Sequence, residues 1–196
     1  MATMPRHDEV LDELVELFLA EGFRHLTVED LARRMRCSKS TLYALGQSKE
    51  RIVVRVVKHF FRAATAAVES RTAEAGGPAE RIVAYLRAVA DALRPASPRF
   101  IADLAAHAAA AEVYERNTAL AARRVGELID RGVADGAFRP VHAAFVADVA
   151  ASTMRRIQTG AVLAATGLHD ADAYDELAAL VLDGVRGGRA AQKTPR

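Results

Sequence analysis

An all-α fold is what this sequence predicts, and three observations carry the prediction. No segment alternates apolar and polar residues with period two over a strand's length, whereas apolar stripes at helical spacing recur along the whole chain. Hydrophobic residues make up 51% of the 196 residues, yet aromatics only 6%, and Trp is absent. An interior so rich in alanine suits helices in close contact better than a sheet. Capping residues, glycines and prolines then divide the stripes into about nine helices.

Residues 1–5 read as a loose start. From Asp8 to Glu21, the positions Val10, Leu11, Leu14, Val15, Leu17 and Phe18 form one stripe, which Gly22 ends. The acids Asp8, Glu9, Asp12, Glu13 and Glu16 suit the start of that helix and would repel phosphate. Thr27 then opens a Thr-x-x-Asp pattern with Asp30, and Val28, Leu31, Ala32 and Met35 follow at helical spacing. Arg36-Cys37-Ser38 interrupts this short helix. Lys39 to Leu45 supplies a second one, with Leu42 inward and Lys39, Ser40, Thr41 and Tyr43 outside. Two short helices and a tight turn make a helix-turn-helix, which the first helix should back.

Ser48 caps the next helix, which runs to about Ala75 with Ile52, Val53, Val56, Val57, Phe60, Phe61, Ala64 and Val68 along one side. At roughly 1.5 Å per residue it spans about 40 Å, enough to join a small head to a separate body. Ala75-Gly-Gly-Pro78 breaks it, and Ala79–Arg94 follows with Ile82, Val83, Leu86, Val89, Ala90 and Leu93 inward. After Pro95-Ala-Ser-Pro98, Ser97 caps a helix from Phe100 to Ala111; Glu112–Asp135 is a further long helix that Gly136 ends. Val141–Thr166 comes next, and Asp170 caps a last helix reaching about Arg186, before a Gly-Gly break and a polar tail.

Charge is concentrated at one place. Residues 31–62 hold nine Lys or Arg against the single acid Glu50, a local +8; residues 1–30 carry −6 and the rest cancels, for a net +2. On its own such a run can be a solvated face. Joined to a helix-turn-helix it is the footprint of phosphate contacts.

The residues Thr-Val-Glu-Asp-Leu-Ala from Thr27, Ser-Lys-Ser-Thr-Leu-Tyr from Ser38, and Ser-Lys-Glu from Ser48 resemble the DNA-binding domain of TetR-type transcriptional regulators. The resemblance is specific across residues 10–58; beyond them only helical layout and length are similar. Two departures stand out: Arg36 lies where the family usually has glycine, and Leu45-Gly46 where His-Phe commonly follows the tyrosine. The resemblance implies a head of residues 1–50 and a ligand-binding, dimerising body of residues 51–196. It assigns the helix after Ser38 to the major groove, with Lys39, Ser40 and Thr41 for base or groove-edge contact, and Tyr43 and Lys49 for phosphate. Thr27 and Arg36 add backbone contacts, Lys39 and Arg36 can each meet either a guanine edge or a phosphate, and Arg6 can reach a minor groove or belong to an uninvolved tail. It also implies an effector pocket, with Phe61, Tyr85, Phe100, His107, Tyr114, Met154, Arg155 and Gln158 as candidate lining; the apolar ones are equally what an ordinary core contains. In similar proteins the fourth helix carries motion of the body to the head.

The last two helices have unusual faces. Ala143, Ala144, Ala147, Ala150, Ala151, Gly160, Ala161, Ala164 and Ala165 leave room for another helix, while Leu177, Leu180, Val181, Leu182 and Val185 spread too widely for one buried stripe. A four-helix C2 interface with a second copy is expected, against the alternative of a central helix in a monomer.

Other chemistry finds little support. Cys37, beside Arg36, is either an activated thiol or a small buried hydrophobe. As the only cysteine it excludes an internal disulfide. With no signal-peptide pattern or spanning apolar run, a cytoplasmic protein without membrane partner is expected. Asp103 and His107, one turn apart, can hold a metal or a proton, or simply each other. No metal-ligand spacing, nucleophile elbow or phosphate-cradling loop is present, so no metal, cofactor or enzymatic activity is expected. The reading is a homodimeric repressor of a near-palindromic operator, released by a small molecule. The alternatives are an all-α interaction module whose basic helix meets a protein or membrane, or a small helical enzyme.

Overall fold

The computed structural model describes residues 7–186, and in them it has ten α-helices and no strand. Arg6 and the polar tail lie outside the described residues. In order the helices are α1 His7–Glu21, α2 Val28–Arg34, α3 Lys39–Leu45, α4 Lys49–Glu74, α5 Pro78–Leu93, α6 Pro98–Ala106, α7 Ala108–Ala134, α8 Ala143–Gln158, α9 Ala161–Thr166 and α10 Asp170–Val185. They build two compact units, and α4, α5 and α7 contribute residues to both.

The first unit holds the chain up to Ala67 together with Ala92–Asn117. Its core takes Val10, Leu14 and Phe18 from α1, Leu31 from α2, Leu42 and Leu45 from α3, Ile52, Val53, Val56 and Val57 from α4, and Phe100 and Leu104 from α6. Those on α1, α2 and α4, with Leu42, are the inward positions of the predicted stripes, and removing them from water is what holds such short helices, which are marginal alone. Phe23 lies at 5.2 Å from Phe18 and 6.2 Å from Phe100, centroid to centroid, so the α1–α2 connection is itself part of the core.

Val68–Asp91 and the chain from Thr118 onward form the second unit. Ile82, Leu86, Val125, Ile129, Met154, Ile157, Tyr174, Leu177, Val181 and Val185 make its core. Ion pairs lace its surface, with Arg124 forked on Glu69 and Arg87 on Asp175. The α7–α8 connection is tied down by Arg139, whose backbone N–H donates to the Val185 carbonyl and whose Nε donates to that of Gly184, at 2.9 Å each. Two carbonyls at the end of α10 are satisfied in this way.

Several boundaries differ from those expected. The break expected near Ala111 falls at His107, which is extended (φ −115°, ψ 100°) and whose Nδ1 and carbonyl both accept from the Ala110 amide. A histidine among alanines gives no sequence signal for that. The helix expected over Val141–Thr166 is two, because Gly160 turns left-handed (φ +73°) and starts α9 anew. Asp170 is the first residue of α10, not its cap; His169 holds the cap position without a side-chain bond. Ser97 does cap α6, accepting from the Phe100 amide.

The small-residue face of α8 points inward. Ala143, Ala147, Ala150 and Ala151 are buried, and a Cβ on Gly126 of α7 would lie 3.4 Å from that of Ala147. Their smallness thus serves close packing within this chain. Of the α10 residues expected to need a second partner, Leu177, Val181, Leu182 and Val185 are buried, and Leu180 alone stands out, 70% exposed. With Phe145, 66% exposed, and Val149 it edges an apolar cleft between α8 and α10.

Candidate nucleic-acid interface

The helix-turn-helix is built from local capping. Thr27 Oγ1 accepts from the Asp30 amide at 3.1 Å while Asp30 Oδ2 accepts from the Thr27 amide at 3.0 Å, the reciprocal arrangement that its Thr-x-x-Asp pattern predicts. The Thr27 hydroxyl also donates to Asp30, so this residue's polar capacity is largely spent inside the head. That hydrogen bonding holds the Asp30 carboxyl below its usual range. α2 ends with the Cys37 amide on the Ala32 carbonyl and the Arg36 amide on that of Arg33, a Schellman closure. Its left-handed residue is Arg36, at φ +49°. Glycine suits that position because it has no Cβ to crowd the carbonyl, which accounts for the family's preference there.

Ser38 caps α3, accepting from the Thr41 amide at 3.1 Å. Its hydroxyl also lies 2.6 Å from that of Ser40 and 2.9 Å from that of Thr41, so the three form one hydroxyl cluster at the start of the helix. Leu42 and Leu45 are buried beneath. Gly46 is required by proximity rather than strain, since a Cβ there would meet the Ile52 nitrogen at 2.7 Å.

Two of the basic candidates already have partners. Lys39 Nζ donates to Glu29, and this bond holds the glutamate below its ordinary pKa and raises that of the lysine. Lys49 Nζ donates to the Arg24 carbonyl at 2.8 Å. Tyr43 is exposed. Thr27, Arg36, Ser38, Lys39, Ser40, Thr41, Tyr43 and Lys49 thus all lie on α2, its turn, α3 or the start of α4. Glu29 is the addition that the charge count concealed, an acid beside the basic run that takes the ammonium of Lys39. Cys37 is half-buried against the first core and burial pushes its thiol pKa up, which favours the apolar reading.

Asp103, which the sequence set beside His107, has its hydrogen-bond partners elsewhere. Instead of facing His107 it is buried, and its Oδ2 accepts from the Phe23 and Arg24 amides at 2.6 and 2.9 Å. Eighty positions separate the partners, so no local pattern can announce the bond. His107 meets the edge of Phe23 at 5.9 Å.

The effector candidates divide between the units. Phe61, Phe100, His107 and Tyr114 belong to the first, where Phe61 lies 5.9 Å from Tyr114; Tyr85, Met154, Arg155 and Gln158 belong to the second. Phe61, Phe100, Tyr85 and Met154 are core residues, Arg155 is exposed, and Gln158 donates to the Tyr174 hydroxyl at 3.0 Å. Burial raises the Tyr85 phenol's pKa. A cleft of about 650 Å³ in the first unit, lined by Arg51, Arg55, Lys58 and Arg62 of α4, contains none of the eight, nor does the α8–α10 cleft of about 390 Å³. Among the described residues there is no group of three or more His, Cys, Asp or Glu able to hold a metal, and no helix long and apolar enough to cross a membrane.

With this geometry in hand, residues 10–56 match the family of bacterial regulatory proteins described as the tetR family. The HTH-type transcriptional regulator TcmR of Streptomyces glaucescens is 31% identical over 115 residues, 59% of this chain; the chain spans about half the length of that curated relative. Among solved structures, a regulator from Saccharomonospora viridis in complex with choline aligns with a TM-score of 0.78 at 14% identity, covering 93% of this chain and 98% of its own. The fatty acid degradation regulator FadR from Bacillus halodurans aligns at 0.71 and 15% identity, covering 96% and 100%. These structures share the fold, and the family match lies on the capped helix pair and most of the basic run, so it is the N-terminal part of the chain, residues 10–56, that matches the tetR family of bacterial regulatory proteins.

Proposed function

We propose that this chain is a homodimeric DNA-binding transcriptional regulator, a repressor that leaves a near-palindromic operator when a small molecule binds its body. The observation that carries the reading is the short capped helix α3, whose exposed side begins with Lys39, Ser40 and Thr41 and is followed by Tyr43 and Lys49. Residues 1–50 are the DNA-binding head and 51–196 the ligand-binding and dimerising body. Ser38, Lys39, Ser40 and Thr41 meet base or groove edges, and Thr27, Arg36, Tyr43 and Lys49 meet the phosphates. Lys39 and Lys49 exchange Glu29 and the Arg24 carbonyl for the nucleic acid as they do so, which makes the head's own acceptors part of the affinity.

Effector release needs a ligand that binds the two forms of the protein unequally, and the coupling cannot exceed that difference. Phe61, Phe100, His107 and Tyr114 in one unit and Tyr85, Met154, Arg155 and Gln158 in the other are the residues we assign to the response. A choline complex of a protein alike in fold, and a fatty acid degradation regulator among the others, support a body that takes small amphipathic molecules. Dimerisation runs through α8 and α10, where Phe145, Val149 and Leu180 are exposed.

Selection of bound sequences from random duplex DNA tests the reading. The expected product is a near-palindrome whose half-sites lie about one helical turn, or a multiple, apart. Binding should weaken steeply with salt and be lost in the Lys49→Ala, Tyr43→Ala double variant. Enrichment of no motif, or binding indifferent to both changes, would turn the reading towards an interaction module or an enzyme.

A further inference from the structure

The DNA-binding reading leaves one buried charge unused. Asp103 sits on α6 at 7% exposure, in the same compact unit as the helix-turn-helix. Its carboxylate is aimed at the connection between α1 and α2. After Gly22 turns left-handed at φ +74°, the amides of Phe23 and Arg24 have left α1 and need acceptors. Asp103 Oδ2 takes both, and two N–H donors on one carboxylate oxygen are charge-assisted and directional. The fit is close: a Cβ on Gly22 would lie 2.6 Å from that oxygen, so only glycine lets the carboxylate in. A second strap runs beside it, from the Ser97 amide to the Leu19 carbonyl at 2.8 Å.

The far side of the same peptide segment leads to the DNA face. The Arg24 carbonyl accepts Lys49 Nζ at 2.8 Å, and three residues beyond Arg24 stands Thr27, the cap of α2. Phe23 is fixed between Phe18, Phe100 and His107. One oxygen on α6 therefore holds the segment from which both the start of α2 and the ammonium of Lys49 take their position. Hydrogen bonds of this length tolerate a displacement of only a few tenths of an ångström before they weaken.

We propose that Asp103 is a positioning residue for operator binding: through the Phe23 and Arg24 amides it sets the loop that places Lys49 and the first helix of the helix-turn-helix. The proposal rests on the DNA-binding reading above.

The full-length protein and the duplex enriched by selection supply the test, read as affinity at a temperature where circular dichroism shows each variant helical. Asp103→Ala should weaken binding on the order of tenfold. Asp103→Asn, which keeps an oxygen in the same place, should recover to within about threefold of the parent. The structural alternative is separated by a double-mutant cycle: if Asp103 acts through Lys49, then Lys49→Ala costs less in the Asp103→Ala background than alone. Should the alanine variant not fold, Asp103→Glu, which pushes the carboxylate one methylene towards Gly22, takes its place with the same expectation. Affinity within twofold of the parent in these variants, equal losses in Asn and Ala, or strict additivity with Lys49→Ala would each overturn the proposal while leaving DNA binding intact. A parent protein that enriches no duplex would instead remove the DNA-binding reading and this proposal with it.

Discussion

Arg36 condenses the tension between folding and function into one residue. The Schellman closure of α2 demands a left-handed residue, and an arginine adopts φ +49° at a cost on the order of 1 kcal/mol relative to glycine. Arg36→Gly should therefore stabilise the protein by about 0.5–1 kcal/mol, read as a raised urea midpoint with an unchanged slope. No gain would mean that the guanidinium makes compensating contacts. The neighbouring capping box was legible in the sequence because both partners lie three residues apart, whereas the Lys39–Glu29 pair bridges two helices and could not be read from charge counts along the chain.

Among the elements, α7 and α8 illustrate how one composition serves two readings. An alanine-rich helix can lie against a second copy or against its own neighbour, and spacing alone does not decide. Here Ala147 faces Gly126 within the same unit, and little space is left between the two helices. Ala147→Leu should cost about 1–3 kcal/mol by overpacking, measured as a fall in the thermal midpoint. Gly126→Ala is the control, since its Cβ would make ordinary contact at 3.4 Å and alanine favours the helix. If the leucine variant melts like the parent, α7 and α8 do not pack closely at this contact. The breaks at His107 and Gly160 belong to the same scale: glycine gave a hint at the second, and nothing local did at the first.

For the whole molecule the exposed apolar residues matter more than the small ones. Among the described residues nothing covers Phe145 and Leu180, and a symmetric copy presenting the same face is the partner we propose. Leu180→Glu should convert a dimer to a monomer in sedimentation with helical content preserved, and a dimer mass unchanged would move the interface elsewhere. A charge at Val181 is a poor probe, because that side chain is only 6% exposed and the substitution would attack the fold itself. Ala161, on the exposed helix α9, is a position where a charge can be placed without attacking the core.

By itself the sequence determined the helical class, the capped helix pair of the head, the inward stripes of α1 and α4, and the concentration of positive charge. All of these are set by interactions within a few residues, where spacing is a faithful proxy for distance. Only the tertiary structure decided which way the α8 alanines point, that Leu45 is buried with the first core, and that Asp103 holds the Phe23 and Arg24 amides. Those depend on groups that the chain brings together from far apart, and burial there is settled by the neighbours that arrive rather than by the residue's own pattern.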